Sequence, residues 1–351
     1  MNALKVEYWP VSLRFKRPAK TSRGAYTTRQ IWFVKVGDDH SWGIGECAPL
    51  PDLSVEAGPD YERILRAACE ELAENGWIDV EKLRPYPSIL FGLETAMRHR
   101  QSDSPALWPT LFADGTRGIQ INGLVWMGDY RFMQEQIEEK IRAGFRCVKL
   151  KIGAIHFEEE LELLRKIRAR FSAQEIELRV DANGAFSPDE ALDKLHQLAE
   201  LDLHSIEQPI RAGQWEDMAR LVERSPLPIA LDEELIGCCQ RQERERLLKT
   251  IRPHYLVLKP SLHGGFSGCT EWIRLTESIL GGTPKEPKWW LTSALESNVG
   301  LNAIAQFCAH ITLDSPSLPQ GLGTGQLFVR NVPPELHLKG DTLWFHPPVY
   351  R

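Results

Sequence analysis

The chain lacks any long hydrophobic run: nowhere does it sustain the roughly 20 apolar positions that a membrane-spanning helix needs. A strong excess of one charge is missing too. With 42 basic against 48 acidic residues the net charge is −6, which gives no footprint for nucleic acid or an anionic membrane. The seven cysteines form no CxxC pair, and Cys238-Cys239 are adjacent, which suits neither a metal knuckle nor a disulfide framework. The ten histidines show no metal-binding spacing. The N-terminus does not have the basic, apolar and small-residue succession of a secretory signal. The expectation is a cytoplasmic protein that handles a small molecule, with no nucleic-acid or membrane partner.

Apolar residues are 42% of the chain, ample for a large core, and the length allows a barrel of roughly 250 residues or fewer with a smaller partner domain. The first 117 residues are mixed in character. Residues 4–15 and 30–36 read as strands of a meander, with a basic, polar loop at 16–29 between them. A turn-rich stretch, 43–51, leads to amphipathic helices near 61–74 and 87–98. After Gly115 strand and helix alternate strictly. Strands are expected at 118–125, 147–152, 176–181, 205–208, 229–232, 255–259 and 289–295, with a short eighth near 318–322. This is an α/β pattern of (β/α)7β form, a modified TIM barrel. The proline-rich tail after Phe328 is expected to return to the first domain. The division expected is a domain of 1–117 completed by 326–351, and a barrel of 118–325.

Charged residues close these aliphatic runs at nearly even spacing. From Lys151 the series runs to Asp181, Glu207, Asp232 and Lys259, in steps of 30, 26, 25 and 27 residues. Each step is about one strand-plus-helix unit, so the charges gather at the carboxyl ends of successive strands. Period-2 alternation puts Val148, Leu150 and Ile152 on one strand face, and Lys149 and Lys151 on the other. Charges pointed into one barrel must be paired, hydrated or metal-bound. Asp181, Glu207 and Asp232 are hard oxygen ligands with no histidine or cysteine at equivalent positions, which points to Mg2+, with Mn2+ as a substitute. Repulsion between Lys149 and Lys151, together with partial burial, is expected to lower their pKa and make a general base near neutral pH. Asn183, two residues past Asp181, reads as a substrate contact or a turn residue. Ser261 and Ser297 read as substrate contacts or helix caps, and Glu296 as a contact beyond the seventh strand.

These residues, with the stretches 43–54, Asp181-Ala182-Asn183, Leu258-Lys259-Pro260-Ser261, Ser293-Ala294-Leu295-Glu296-Ser297 and the glycine-rich segment 321–328, resemble the enolase superfamily. The similarity is to its lysine-X-lysine branch, which includes muconate cycloisomerases, and there most to the o-succinylbenzoate synthases. It covers nearly all the chain. It implies an α+β N-terminal capping domain over the barrel and a Mg2+-dependent lyase of menaquinone biosynthesis, acting on a carboxylate substrate. In that scheme Lys151 takes the α-proton and assists loss of hydroxide, Lys149 supports the substrate carboxylate, and Lys259 gives electrostatic support from the opposite side. Ser293, Gly321 and Gly323 fall in stretches that would meet substrate. The loops 16–29 and 49–54 would cover the barrel mouth.

Two alternatives stay open. An N-acylamino acid racemase or dipeptide epimerase on the same scaffold would use Lys151 and Lys259 as bases on opposite faces. Dipeptide epimerases of this type carry an acidic pair after the eighth strand, and 321–328 contains no acid. A catalytically inactive barrel serving as a binding protein would be free to lose the three carboxylates and three lysines, all of which are present.

Overall fold

The computed structural model describes residues 4–21, 24–283, 285–333 and 336–346. The N-terminal part is an antiparallel meander of β1 (Lys5–Thr21), β2 (Gly24–Gly37) and β3 (Trp42–Cys47). It is backed by α1 (Tyr61–Asn75), α2 (Val80–Leu83) and α3 (Pro87–Ser102). Helix α3 presses on β3 backbone to backbone: a Cβ on Gly45 would lie 1.8 Å from the Gly92 carbonyl oxygen, so only glycine fits. The basic segment expected as a loop at 16–29 is instead an extension of both strands. Their pairing resumes at Ala19↔Tyr26 after a register shift beyond Arg14, and Phe15 stacks on Phe328 at 4.7 Å. Strand pairing and that aromatic contact outweigh the segment's polarity. Residues 22 and 23, at the tip, lie outside the described residues.

The second part carries seven parallel strands, each pairing with the next in chain order: β5 (Gly123–Val125), β6 (Cys147–Lys151), β7 (Glu177–Asp181), β8 (Ser205–Glu207), β9 (Ile229–Leu231), β10 (Tyr255–Leu258) and β11 (Trp289–Leu291). Helices α4 (Tyr130–Arg142), α5 (Phe157–Arg168), α6 (Pro188–Ala199), α7 (Trp215–Arg224), α8 (Arg241–Ile251), α9 (Gly265–Leu280) and α10 (Asn298–Ile311) follow them. Aliphatic residues such as Val148, Leu150, Leu178, Val180, Ile206, Leu256 and Leu258 pack outward in one continuous core with the helices. Each helix thereby covers the strand pair that flanks it. Regular pairing does not close the sheet. The expected eighth strand is a pair of isolated parallel bridges, Gln320 to Ile121 and Gly321 to Thr292, which spans the gap between the two edges.

The first barrel strand also differs from expectation. The run 118–125 divides into β4 (Ile119–Gln120) and β5, because the backbone N–H of Ile121 donates to Asp341 rather than to a barrel neighbour. β4 pairs with a C-terminal hairpin of β12 (Leu336–Lys339) and β13 (Thr342–Phe345). Among the described residues the tail meets the N-terminal part near Phe328, whose neighbour Val329 donates its N–H to Arg14, and again at Phe345, whose ring lies 6.1 Å from that of Phe112. Its hairpin completes an edge on the barrel side. Among the described residues, no helix is long and apolar enough to cross a membrane.

Candidate active site

The strand register sets the inward ring. Lys149 lies opposite Arg179, Lys151 opposite Asp181, and Asp181 opposite Glu207, so alternate positions bring charge to the same side. Asp232 and Lys259 follow the last residues of β9 and β10. Lys149, Lys151, Asp181 and Lys259 line a cleft at the carboxyl ends of the strands, with Glu207 and Asp232 buried beside it. Lys149, Lys151, Lys259, Asp181, Asn183 and Glu233 form its charged half. Its apolar half comes from Leu124, Trp126, Leu262 and Leu295 of the barrel and from Leu50 and Leu53 of the N-terminal domain.

The 49–54 loop thus reaches the mouth, as expected. The described residues of the 16–29 segment line none of the cleft but brace that loop, since the Tyr26 hydroxyl bonds Pro51 O at 3.1 Å and the Asp52 carboxylate at 3.0 Å.

Within the cleft, lysines and carboxylates are interleaved. Lys149 Nζ donates to Glu207 at 2.8 Å and to Asp181 at 3.4 Å. Lys151 Nζ donates to Asn183 Oδ1 at 2.8 Å and to Asp181 at 3.2 Å, and Lys259 pairs with Asp232. The lysine side chains are only 7 to 13% exposed, so these ion pairs are largely removed from water.

Burial acts to raise the Asp181 carboxyl, but Lys151 and Lys149 overcome it and hold the group well below the usual carboxylate range. Burial and then Asp181 push the Glu207 carboxyl up, against the pull of Lys149. The expected lowering of the lysines is not what the site does to Lys149. Burial lowers it as anticipated and Lys259 adds to this, yet Glu207 and Asp181 outweigh them and its pKa rises. Lys259 is likewise raised, because Asp232, Glu207 and Glu233 overcome the effect of burial.

Two observations bear on a metal. Among the described residues, no group of three histidine, cysteine, aspartate or glutamate side chains is arranged, as placed, to hold one. Each of the three carboxylates is instead turned to a lysine. Yet Glu207 Oε1 and Asp232 Oδ1 are buried without a hydrogen-bond partner, beside Asp181. Buried carboxylate oxygens are costly to leave unpaired, and an all-oxygen donor set with spare lone pairs is what a hard divalent cation takes. The residues fit such an ion.

The remaining candidates separate into two groups. Asn183, Ser293, Gly321 and Gly323 line the cleft. Gly321 also has a packing reason, since a Cβ there would lie 2.3 Å from Thr292 Oγ1. Ser261, Glu296 and Ser297 are not in the lining; they are fully buried behind it. Glu296 accepts hydrogen bonds from Ser261 and, at 2.5 Å, from Ser293, whose own oxygen accepts from Thr324 at 2.7 Å. Ser297 caps α10, accepting from Val299 N–H at 3.2 Å, and bonds Glu46 of the N-terminal domain. Sequence reading passed over Trp126, Thr324 and Glu233, all of which line the cleft. The run Asp232-Glu233-Glu234 after an aliphatic strand was the available signal for the last.

Comparison with known proteins fits this geometry. Residues 132–316 match the family model "Enolase C-terminal domain-like", and residues 14–100 match "MenC, N-terminal domain". The o-succinylbenzoate synthase of Desulfotalea psychrophila is 44% identical, across 98% of this chain and 99% of that one.

The chain belongs to the o-succinylbenzoate synthase family of the enolase superfamily.

The crystal structure of MenC from Desulfotalea psychrophila superposes with a TM-score of 0.81 at 39% identity, covering 98% of this chain and all of the other. The o-succinylbenzoate synthase structure from Thermosynechococcus elongatus, complexed with Mg in its active site, shares the fold at a TM-score of 0.75 and 23% identity, over 93% and 95% of the two chains. In family terms, the parallel sheet is the enolase-type (β/α)7β barrel and the antiparallel meander with its helices is its N-terminal partner.

Proposed function

We propose that this protein is an o-succinylbenzoate synthase, a hydro-lyase that removes water from 2-succinyl-6-hydroxy-2,4-cyclohexadiene-1-carboxylate to give o-succinylbenzoate for menaquinone biosynthesis. One geometric observation carries the reading: Lys151 and Lys259 line the same cleft but are tied to different carboxylates, Asp181 and Asp232. A substrate carboxylate seated between them meets positive charge from two sides. Full-length identity of 44% to a known synthase supports the choice of substrate.

Asp181, Glu207 and Asp232 would hold Mg2+, with Mn2+ as a substitute. When bound, the ion supplies positive charge that favours an enediolate over the substrate carboxylate. The same carboxylates would then have a competing partner for the lone pairs that now accept from the lysines.

In the reaction, the neutral amine of Lys151 takes the C1 proton, and its bonding electrons pass into the enediolate. The resulting ammonium protonates the 6-hydroxyl as its carbon–oxygen bond breaks. Water leaves, the ring becomes aromatic, and Lys151 returns to the amine. One residue on one face serves both proton transfers. Lys259 and Lys149 remain charged and stabilise the enediolate. Leu50, Leu53 and Trp126 enclose the apolar side of the ring and limit water at the reacting carbons.

The test is a mass-spectrometric assay with the cyclohexadiene substrate, Mg2+ and an EDTA control. Formation of o-succinylbenzoate that stops on chelation and returns with Mg2+ is the expected outcome. No product with the metal present, alongside racemisation of an N-acylamino acid, would transfer the assignment to a racemase.

A further inference from the structure

Lys151 is held in the cleft by Asp181 and by a residue outside the series of strand-end charges. Asn183 Oδ1 accepts from its ammonium at 2.8 Å, while Asn183 Nδ2 donates to Glu233 Oε1 at 2.9 Å. Asn183 is built into this position. Its backbone stands at φ +45°, a region that asparagine tolerates better than most residues, and its N–H donates to Asp181 Oδ1 at 3.0 Å. Glu233 is buried, lines the cleft, and has its other oxygen unpartnered.

The polarity of this chain of contacts has a consequence. A lysine ammonium can only donate, and the facing oxygen of Glu233 accepts. An amide between them satisfies both in a single orientation, oxygen to the lysine and NH2 to the glutamate. Turned over, it would set two donors against each other at Lys151 and two acceptors at Glu233. The neutral Lys151 amine that takes a proton can donate or accept, so in that state the lysine no longer chooses between the two ends of Asn183. Glu233 makes the choice.

We propose that Glu233 is a positioning residue for the proton-transferring lysine: it fixes the amide of Asn183 so that its oxygen aims the Lys151 nitrogen at the substrate. The proposal rests on the reading of Lys151 as the base. It assigns to Glu233 a role separate from that of its neighbour Asp232, and it makes Asn183 a holder of the base rather than a contact to substrate.

The test is a double-substitution cycle read by steady-state kinetics with the cyclohexadiene substrate, by calorimetric Mg2+ titration, and by circular dichroism for the fold. Glu233→Gln presents both a donor and an acceptor to the amide, so the orientation is no longer dictated. Asn183→Asp leaves an acceptor for Lys151 but puts two acceptors face to face at position 233. Each single change is expected to lower kcat by about 10- to 100-fold with KM changed by less than about threefold, the pattern of a misaimed proton-transfer group. The combined Asn183→Asp/Glu233→Gln protein restores donor-to-acceptor polarity along the whole chain and keeps the net charge. It should recover at least about tenfold in kcat over Asn183→Asp alone, a coupling that independent sites do not show.

A purely structural role would lower thermal stability without that recovery. A role through the metal would weaken Mg2+ binding in step with kcat. Effects of the two changes that simply multiply, or kcat losses that follow Mg2+ affinity, overturn the proposal. Lys151→Ala is measured alongside. If it dehydrates normally, the base assignment itself is wrong. If it is inactive while the cycle is additive, only the positioning role falls.

Discussion

Two sets of buried carboxylates stand in this molecule, and the contrast between them separates architecture from chemistry. At the seam between the N-terminal domain and the barrel, Glu46 accepts from Ser297 N–H at 2.8 Å, Ser297 Oγ at 2.5 Å and Gly300 N–H at 2.8 Å, all in the first turn of α10 or its cap. Glu94 of α3 does the same for α9, accepting from Phe266 N–H at 2.6 Å and Ser267 N–H at 3.2 Å. Both oxygens of each are occupied by helix N-termini, where the backbone favours negative charge. The N-terminal domain thus docks by capping two successive barrel helices, over an apolar contact that includes Leu13, Phe33 and Leu50 against Leu262 and Leu295. Beside the cleft, Glu207 and Asp232 are about as buried as Glu46 and more so than Glu94, yet each keeps an oxygen without a partner. Saturated carboxylates hold parts together. The unpartnered oxygens of Glu207 and Asp232 keep lone pairs for a ligand at the cleft.

The sharpest break of this comparison is substitution in the unsaturated set. Lys151→Ala should reduce dehydration by about 10³-fold or more, since the other cleft lysines are held by Glu207 and Asp232. Asp181→Asn, Glu207→Gln and Asp232→Asn should each abolish measurable Mg2+ binding by calorimetry and activity with it. Each change breaks a buried ion pair, so thermal midpoints should fall while circular dichroism shows the fold retained. Lys259→Ala should cost about 10²- to 10³-fold in kcat, as expected when charge beside a developing anion is removed. If these changes unfold the protein while leaving activity per folded molecule intact, the two carboxylate sets do not differ as described.

The next test lies at the seam. Glu46→Gln and Glu94→Gln leave each site with a donor facing donors, at a cost of about 1–3 kcal/mol in unfolding free energy per residue. Their pH dependence has a definite sign. Burial pushes both carboxyls up from an ordinary value of 4.5 to about 7, against the hydrogen bonds that pull them down. Each holds its proton more tightly folded than unfolded, so its contribution to stability is fully present below 4.5 and is lost as pH rises through about 7. The full change is on the order of 3 kcal/mol per group. Urea midpoints of the native protein and the double variant, compared at pH 5 and pH 8, should differ more at pH 5. A gap that widens towards pH 8 would reverse the assignment.

The same contrast explains what could be read from the sequence. The strand ends bearing Lys149, Lys151, Asp181, Glu207, Asp232 and Lys259 were legible because aliphatic alternation closing on a charge is a local pattern, repeated once per βα unit. Glu46 and Glu94 carry no such mark: their partners lie 251 and 172 residues away, at helix N-termini that any acid could cap. Glu233 was hidden for another reason. It sits in a 3-10 turn, Glu233–Leu235, where period-2 reasoning no longer says which way a side chain points. Nor was the extended hairpin at 16–29 legible, since its pairing and the Phe15–Phe328 stack depend on residues far apart in the chain.

The smallest effect expected is at the outer edge of the seam, where the N-terminal domain stops being architecture and becomes part of the cleft. The Tyr26 hydroxyl, on β2, reaches Pro51 O and the Asp52 carboxylate, in the loop that sends Leu50 and Leu53 to the cleft. Asp52 has φ +62°, a backbone that aspartate tolerates better than most residues, and the Tyr26 contact fixes its side chain from outside the loop. Tyr26→Phe keeps the ring and removes the hydroxyl. Hydrogen bonds at an exposed edge, screened by water, are worth about 0.5–1.5 kcal/mol, so KM should rise about two- to tenfold. The lysines and carboxylates are untouched, so kcat and Mg2+ affinity should hold. Steady-state kinetics decides between two accounts of the loop. A rise in KM alone means that it captures substrate. A fall in kcat with KM unchanged would mean that the hydroxyl, through Leu50 and Leu53, shapes the reacting centre itself.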